Sequence, residues 1–245
     1  MIQQSQNRPG SPGPLPPAEG ERQAEPTLAE DLLLLLFQPA SGTIAGETTL
    51  FYALAGAVLA ELALDERVTS TVTRLAVTNV QAVDGHAPED DILRTAWDHL
   101  SEKPRAVQTV LPAIGPTLRG PLLNRLLARG DIREEKRKRL GLFNTTALVD
   151  GGTGRRTRLL RDVKAVLVDG AEPTPRTAAL VGLIWGSGTL PQFDPDIPWT
   201  SEVISRAQGL ERENWGASAA GEAVARTFNA ILTNTIVVAS ATSPR

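Results

Sequence analysis

The chain contains no cysteine. Disulfides, thiolate metal sites and a cysteine nucleophile are therefore excluded, a composition that suits the reducing cytosol. Histidine is nearly absent too. Only His86 and His99 occur, the first in a Gly–Asp loop and the second beside Trp97 and Asp98. Aromatic residues make up 4% of the chain, too few for the stacking platforms of a single-strand nucleic-acid binder. No basic start leads into an apolar stretch of the signal-peptide kind. The longest early apolar run, Leu32 to Phe37, is six residues, against about 20 for a spanning helix. Any membrane contact of this chain is expected to be peripheral, from the cytoplasm.

What is present is one sizeable core. The 245 residues are 41% hydrophobic and carry a formal charge of −3. Residues 1–26, rich in proline, glutamine and glycine, have almost nothing to bury and are expected to be a disordered tail. The folded domain is expected over 27–240. It starts at a capping box, in which Thr27 caps a helix and Glu30 reaches back. Pro39 stops that helix, and Ser41 to Ala45 reads as a turn or short strand. Leu50 to Ala60, extended by Glu61 to Leu64, is apolar all round and reads as a helix in the middle of a core. The Val- and Thr-rich stretch Val68 to Val83 reads as strand.

Pro88 opens a further helix with Glu89, Asp90 and Asp91 in its first turn. Its inner stripe is Ile92, Leu93, Ala96, Trp97 and Leu100. Val107, Val110, Leu111 and Ile114 mark the next helix. Leu118, Leu122, Leu123, Leu126 and Leu127 mark a third, ended by Gly130. Asp131 to Val149 reads as a charged β-hairpin with Leu140, Leu142 and Phe143 at its apolar centre. Gly151, Gly152 and Gly154 read as a loose link. Helices follow near Arg156 to Val168, Pro175 to Trp185, Thr200 to Leu210 and Glu213 to Val238. The expected fold class is mainly α: a single domain with a central buried helix, surrounding amphipathic helices and a protruding β-hairpin.

Catalytic signatures are not found. There is no Gly-x-Ser-x-Gly elbow, and Gly186-Ser187-Gly188 has the wrong spacing. The carboxylates around His86 are accounted for by a helix start, and Asp194 and Asp196 lie among prolines in a turn. The run Gly151 to Arg156 lacks the Gly-Lys-Ser/Thr of a phosphate loop. No catalytic residue, metal or cofactor is expected.

Charge is unevenly distributed. From Arg119 to Lys164 there are 13 Lys/Arg and five Asp/Glu, a net of +8, so the rest of the chain carries −11. Such asymmetry implies either an anionic partner for one face or simply a well-solvated hairpin and helix. Nucleic acid is disfavoured by the scarcity of aromatics, which leaves anionic phospholipid as the partner. The candidate lipid-binding residues are Arg119, Arg125, Arg129, Lys136 and Arg137. The apolar hairpin residues Leu140, Leu142 and Phe143 form a candidate element for membrane insertion or for assembly into a homo-oligomer.

The ordered set of segments resembles the Golgi phosphoprotein 3 family. Leu28-Ala-Glu-Asp-Leu-Leu-Leu-Leu-Leu36 is similar to the family's opening helix. Leu54-Ala-Gly-Ala-Val-Leu-Ala-Glu-Leu-Ala-Leu64 is similar to its central buried helix. Arg119 to Ile132 looks like the later helix and the start of its hairpin, and Leu142-Phe143 like the hairpin's return. Ala165 to Gly170, followed by Pro175 to Val181, resembles the bacterial branch. The resemblance implies a helical domain with a protruding hairpin and no catalysis. It also implies binding of a phosphatidylinositol 4-phosphate headgroup and, in eukaryotes, recruitment of glycosyltransferases as protein clients. The family's headgroup pocket uses a Trp before the central helix, an Arg on that helix, and two Arg three apart on a later helix. Here the first Trp is Trp97, the central-helix position is Ala55, and the pair falls at Pro116 and Arg119. Arg119 alone matches. The implied function is that of a peripheral membrane adaptor for anionic phospholipid, with a cytosolic protein–protein interaction module as the alternative.

Overall fold

The computed structural model describes residues 25–75, 77–139, 143–212 and 229–233, with the backbone alone at 137–139, 143–145 and 211–212. Two helices lie at the centre. The first, α1 (Leu28–Leu36), opens on the expected capping box: the Glu30 amide donates to Thr27 Oγ1 (3.2 Å), and the Glu30 carboxylate accepts from the Thr27 amide (2.9 Å). It is buried at every position, Glu30 and Asp31 included. The second, α2 (Leu50–Leu64), packs along α1 and buries all but its first-turn aromatics and its last residue. An uncharged run of this kind has no face to turn to water, so it takes the middle of the core.

The short strands β1 (Phe37–Gln38) and β2 (Thr43–Ile44) turn the chain back between α1 and α2. After α2 the strands β3 (Val68–Val72) and β4 (Thr78–Ala82) form an antiparallel hairpin, to which β5 (Arg105–Ala106) adds on the β4 side. The helix α3 (Asp91–Ser101) buries the five residues of its expected stripe. It begins three residues later than Pro88 suggests, because Asp90 is the N-cap and accepts from the Ile92 and Leu93 amides. The helix α4 (Val107–Ile114) passes through a 3-10 turn at Gly115–Thr117 into α5 (Arg119–Ala128).

The hairpin of β6 (Ile132–Arg139) and β7 (Phe143–Asp150) is registered from Ile132 opposite Asp150 to Arg139 opposite Phe143. Then come α6 (Arg155–Leu167), α7 (Pro175–Gly186) and α8 (Ser201–Arg212). Helices α5, α6 and α7 pack on α1, helices α3, α4 and α7 on α2, and α8 on α6 and α7. The whole is a mainly helical single domain with a projecting hairpin. Of the expected last helix, the described part is the helical stretch 229–233, whose Ile231 and Leu232 are fully buried. Of the expected tail, Glu25 and Pro26 are described. Leu140 and Leu142 lie outside the described residues, as does the side chain of Phe143.

One expectation is corrected. The glycines after β7 are a packed turn, not a loose link. A Cβ on Gly151 would lie 1.6 Å from the Gly130 carbonyl oxygen, and Gly152 and Gly154 hold φ values of +85° and +71°. The Gly151 amide donates to the Asp131 carbonyl (2.9 Å) and the Gly152 amide to Asp150 Oδ1 (2.6 Å). Glycine is required here for close approach and left-handed backbone, not for mobility.

Gly56 is likewise enclosed: a Cβ built on it would sit 2.7 Å from Ile231 Cγ2 and 3.0 Å from Leu183 Cδ2. Gly56→Leu should therefore overpack the core and cost about 1–3 kcal/mol. Chemical denaturation of the variant measures this, and unchanged stability would contradict a central α2.

Candidate functional site

Among the described residues, the most elaborate polar structure surrounds the N-terminus of α1. Glu30 and Asp31 lie one turn into a buried helix, where their charge suits the helix dipole but is cut off from water. Four cations from three segments meet them. Arg129, just past α5, donates to Glu30 Oε1 (2.9 Å), and Arg125 on α5 approaches Glu30 Oε2 (3.5 Å). Arg155 at the start of α6 reaches Asp31 through Nε (3.2 Å) and a terminal nitrogen (2.5 Å). Arg176 on the first turn of α7 binds the other Asp31 oxygen through Nε (2.9 Å) and a terminal nitrogen (2.7 Å).

The network extends outward. Arg176 also donates to Glu61 Oε1 (2.9 Å) and to the Pro26 carbonyl (2.7 Å), and Glu61 accepts the Leu28 amide (2.6 Å). Glu61 of α2 thereby caps α1. Arg155 further holds Asp131 (2.6 Å), which also accepts from Thr153 (2.6 Å). Arg125 bridges to Asp90 (2.6 Å) and to Asp91. Six carboxylates thus share four guanidiniums.

Electrostatics follow from this crowding. Burial pulls Arg125 and Arg176 toward the neutral form, but their carboxylate partners outweigh it and hold both above the usual arginine value. Burial raises the Glu61 carboxyl; Arg176 and the Leu28 amide offset part of that, and Asp65 adds to it. At the other end of α1, Arg156 donates to the Phe37 carbonyl (2.9 Å) and approaches that of Leu35 (3.5 Å). Burial lowers its pKa, with Asp150 and Asp196 partly offsetting the effect.

A cleft of about 470 Å³ opens beside this network, lined by Glu25, Thr27, Glu61, Asp65, Arg67 and Arg176 among others. Glu89 and Asp90 complete its wall. Carboxylates outnumber guanidiniums there, the wrong balance for a phosphate. A second cavity of about 370 Å³ lies between α8 and the segment joining α6 to α7, and its Arg206 donates to the Leu167 carbonyl (3.0 Å) and to that of Val168.

The candidate lipid residues are dispersed by this arrangement. Arg119 stands at the start of α5, 47% exposed, in a surface pair with Glu47 (3.0 Å). Arg125 and Arg129 are engaged with Glu30, Asp90 and Asp91. Lys136 is exposed on β6, and the Arg137 side chain lies outside the described residues. Of the positions that the resemblance assigns to a headgroup pocket, Ala55 is fully buried in α2 and Pro116 is exposed in the 3-10 turn, next to Gly115, which packs against the Phe51 carbonyl. Trp97 is on α3, its indole N–H donating to the Arg67 carbonyl (3.1 Å). The pairing of Glu30 with arginine, beyond its expected place in the capping box, and the structural roles of Asp31, Glu61, Asp131, Arg155, Arg156 and Arg176 were not read from the sequence. One signal was available: charged residues inside runs that must be buried require partners.

The architecture is that of a helical scaffold whose charged interior is devoted to assembling its own helices. A model of the Golgi phosphoprotein 3 family matches residues 28–227, and the chain belongs to that family. No curated protein matches the chain.

Two outcomes are expected. Asp31→Asn should cost about 2–3 kcal/mol, because it removes the buried anion that the half-buried Arg155 and Arg176 share, leaving them only Asp131 and Glu61 respectively. Breaking the exposed Arg119–Glu47 pair with Glu47→Gln should cost no more than about 1 kcal/mol. Denaturant titration of both variants checks the contrast. The second outcome concerns pH. Glu61 binds a proton more readily in the folded than in the unfolded chain. Its own contribution to stability is therefore fully present below the unfolded carboxyl's value of about 4.3 and is lost as pH rises through its higher folded value. Between neutral pH and about pH 4, the stability difference between wild type and Glu61→Gln should move in the wild type's favour as pH falls.

Proposed function

We propose that the chain is a non-catalytic peripheral membrane adaptor that binds anionic phospholipid through surface potential. The observation that supports this is the set of exposed cations left, among the described residues, once the internal network is complete. Arg133 and Lys136 on β6, and Arg158, Arg161 and Lys164 on α6, are all exposed, and they outnumber the exposed Glu134, Glu135 and Asp162 among them, the last paired with Arg161 (3.1 Å). Arg119 adds to this set, since its exposed pair with Glu47 holds it weakly. Each basic side chain near an anionic leaflet contributes about 1 kcal/mol, so three or four engaged together give roughly a hundred- to thousand-fold in binding.

Phosphatidylinositol 4-phosphate is the headgroup that family membership suggests. Ala55 and Pro116 offer no side-chain donor at the positions where the family's pocket has arginine. Binding here is therefore governed by charge rather than by headgroup shape. Diversion of Arg125, Arg129, Arg155 and Arg156 into the core removes four cations from any lipid surface. That favours the second reading, a protein–protein interaction module of the same fold that has lost lipid binding.

Vesicle co-sedimentation separates the two. The purified protein should bind vesicles containing anionic lipid and ignore neutral ones. Binding should weaken as salt shortens the Debye length from about 10 Å at 0.1 M to about 3 Å at 1 M. Arg119→Ala should weaken it more than Arg22→Ala. Vesicles with phosphatidylinositol 4-phosphate should show little advantage over phosphatidylserine vesicles of equal charge. Failure to bind any anionic vesicle at low salt would promote the interaction module.

A further inference from the structure

Among the described residues, three large hydrophobic side chains stand exposed: Leu75 at 86%, Val72 at 53% and Trp199 at 46%. Two of the three fall within four residues, at the tip joining β3 to β4. Thr73 and Val77 are tied together at the base of the tip. The Thr73 amide donates to the Val77 carbonyl (2.9 Å), and the Val77 amide donates to Thr73 Oγ1 (3.2 Å). The β3–β4 ladder below it pairs without a slip from Val68 opposite Ala82 to Val72 opposite Thr78. Leu75 is therefore held out into solvent by a registered hairpin.

The tip's charge is as specific as its apolarity. Between Val68 and Val83 there is no Asp or Glu, although the chain has 28, and Arg74 is the single charged residue. We infer that this tip is a membrane contact, in which Leu75 and Val72 enter the headgroup–acyl boundary of an anionic bilayer while Arg74 meets lipid phosphate. The inference rests on the membrane reading above and adds an apolar contact to a surface otherwise argued from charge alone. Apolar side chains beside a cation are the combination that an anionic interface accepts.

The other exposed aromatic does not share this character. Trp199 stacks on Trp185 with centroids 6.3 Å apart, but exposed Asp194, Asp196 and Glu202 flank it, and an anionic leaflet repels them. A second copy of the chain is a poor occupant for the hairpin tip. A stable interface needs about 800 Å² from each partner, far more than the residues 72–75 present.

The absence of cysteine makes the test direct. A Leu75→Cys variant carries one thiol, which takes a polarity-sensitive fluorophore. Its emission should shift to the blue on addition of phosphatidylserine vesicles and stay unchanged with phosphatidylcholine vesicles. Leu75→Ser should fold with an unaltered melting temperature and partition to phosphatidylserine vesicles at least about tenfold more weakly than wild type. Binding of anionic vesicles with no blue shift and no loss in Leu75→Ser would overturn the hairpin contact and leave the membrane reading standing. No binding to anionic vesicles at low salt would overturn both. A blue shift that grows with protein concentration in the absence of lipid would assign the tip to self-association and overturn the proposal.

Discussion

A helix buried on every side cannot hide a carboxylate without a cation, and α1 carries two. Glu30 and Asp31 are there because they cap and complement the N-terminus of a helix with no exposed end. Leaving either unpaired would cost several kcal/mol, a large fraction of the stability of any domain. The demand is met by Arg125 and Arg129 of the α5 end, Arg155 of α6 and Arg176 of α7. The three outer segments that cover α1 are thus each tied to it by a guanidinium. Arg176 further draws in Glu61 of α2 and the chain at Pro26, so the two central helices are pinned together at one end.

Much of the fold was legible in the sequence because it is written in apolar periodicity. The uncharged run of α2, the stripe Ile92, Leu93, Ala96, Trp97 and Leu100, and the capping box at Thr27 are local signals. They match buried positions and a formed cap. The arginine–carboxylate network was not legible because its partners lie far apart in sequence. Asp31 meets Arg155 and Arg176, and Glu30 meets Arg129, with nothing local to indicate the pairing. The glycines of 151–154 misled for a related reason. Local propensity reads glycine as freedom, whereas the Gly130 carbonyl against Gly151 makes it a steric necessity.

The same long-range pairing changes the meaning of the charge asymmetry. A net of +8 between Arg119 and Lys164 looks in sequence like a single basic patch. In three dimensions Arg125, Arg129 and Arg155 neutralise carboxylates drawn largely from the acidic remainder, while Arg156 is absorbed by carbonyls at the end of α1. The basic segment and the acidic segments are partly one another's partners. Among the described residues of that segment, the cations left exposed are Arg119 and those of β6 and α6.

The choice of cation follows the same division. Only four lysines occur in the chain, and none takes part in the described network around α1. Asp31 accepts two nitrogens from each of two arginines, one arginine at each oxygen. An ammonium is a single compact charge and cannot make that forked contact, whereas the planar guanidinium can and loses less hydration on burial. Arg176 uses its remaining nitrogen on Glu61, joining three helices through one side chain. The chain's preference for arginine over lysine is used here to join helices. Lys136 and Lys164 are instead exposed. A diffuse attraction to a charged surface requires no particular geometry, and lysine serves it as well as arginine.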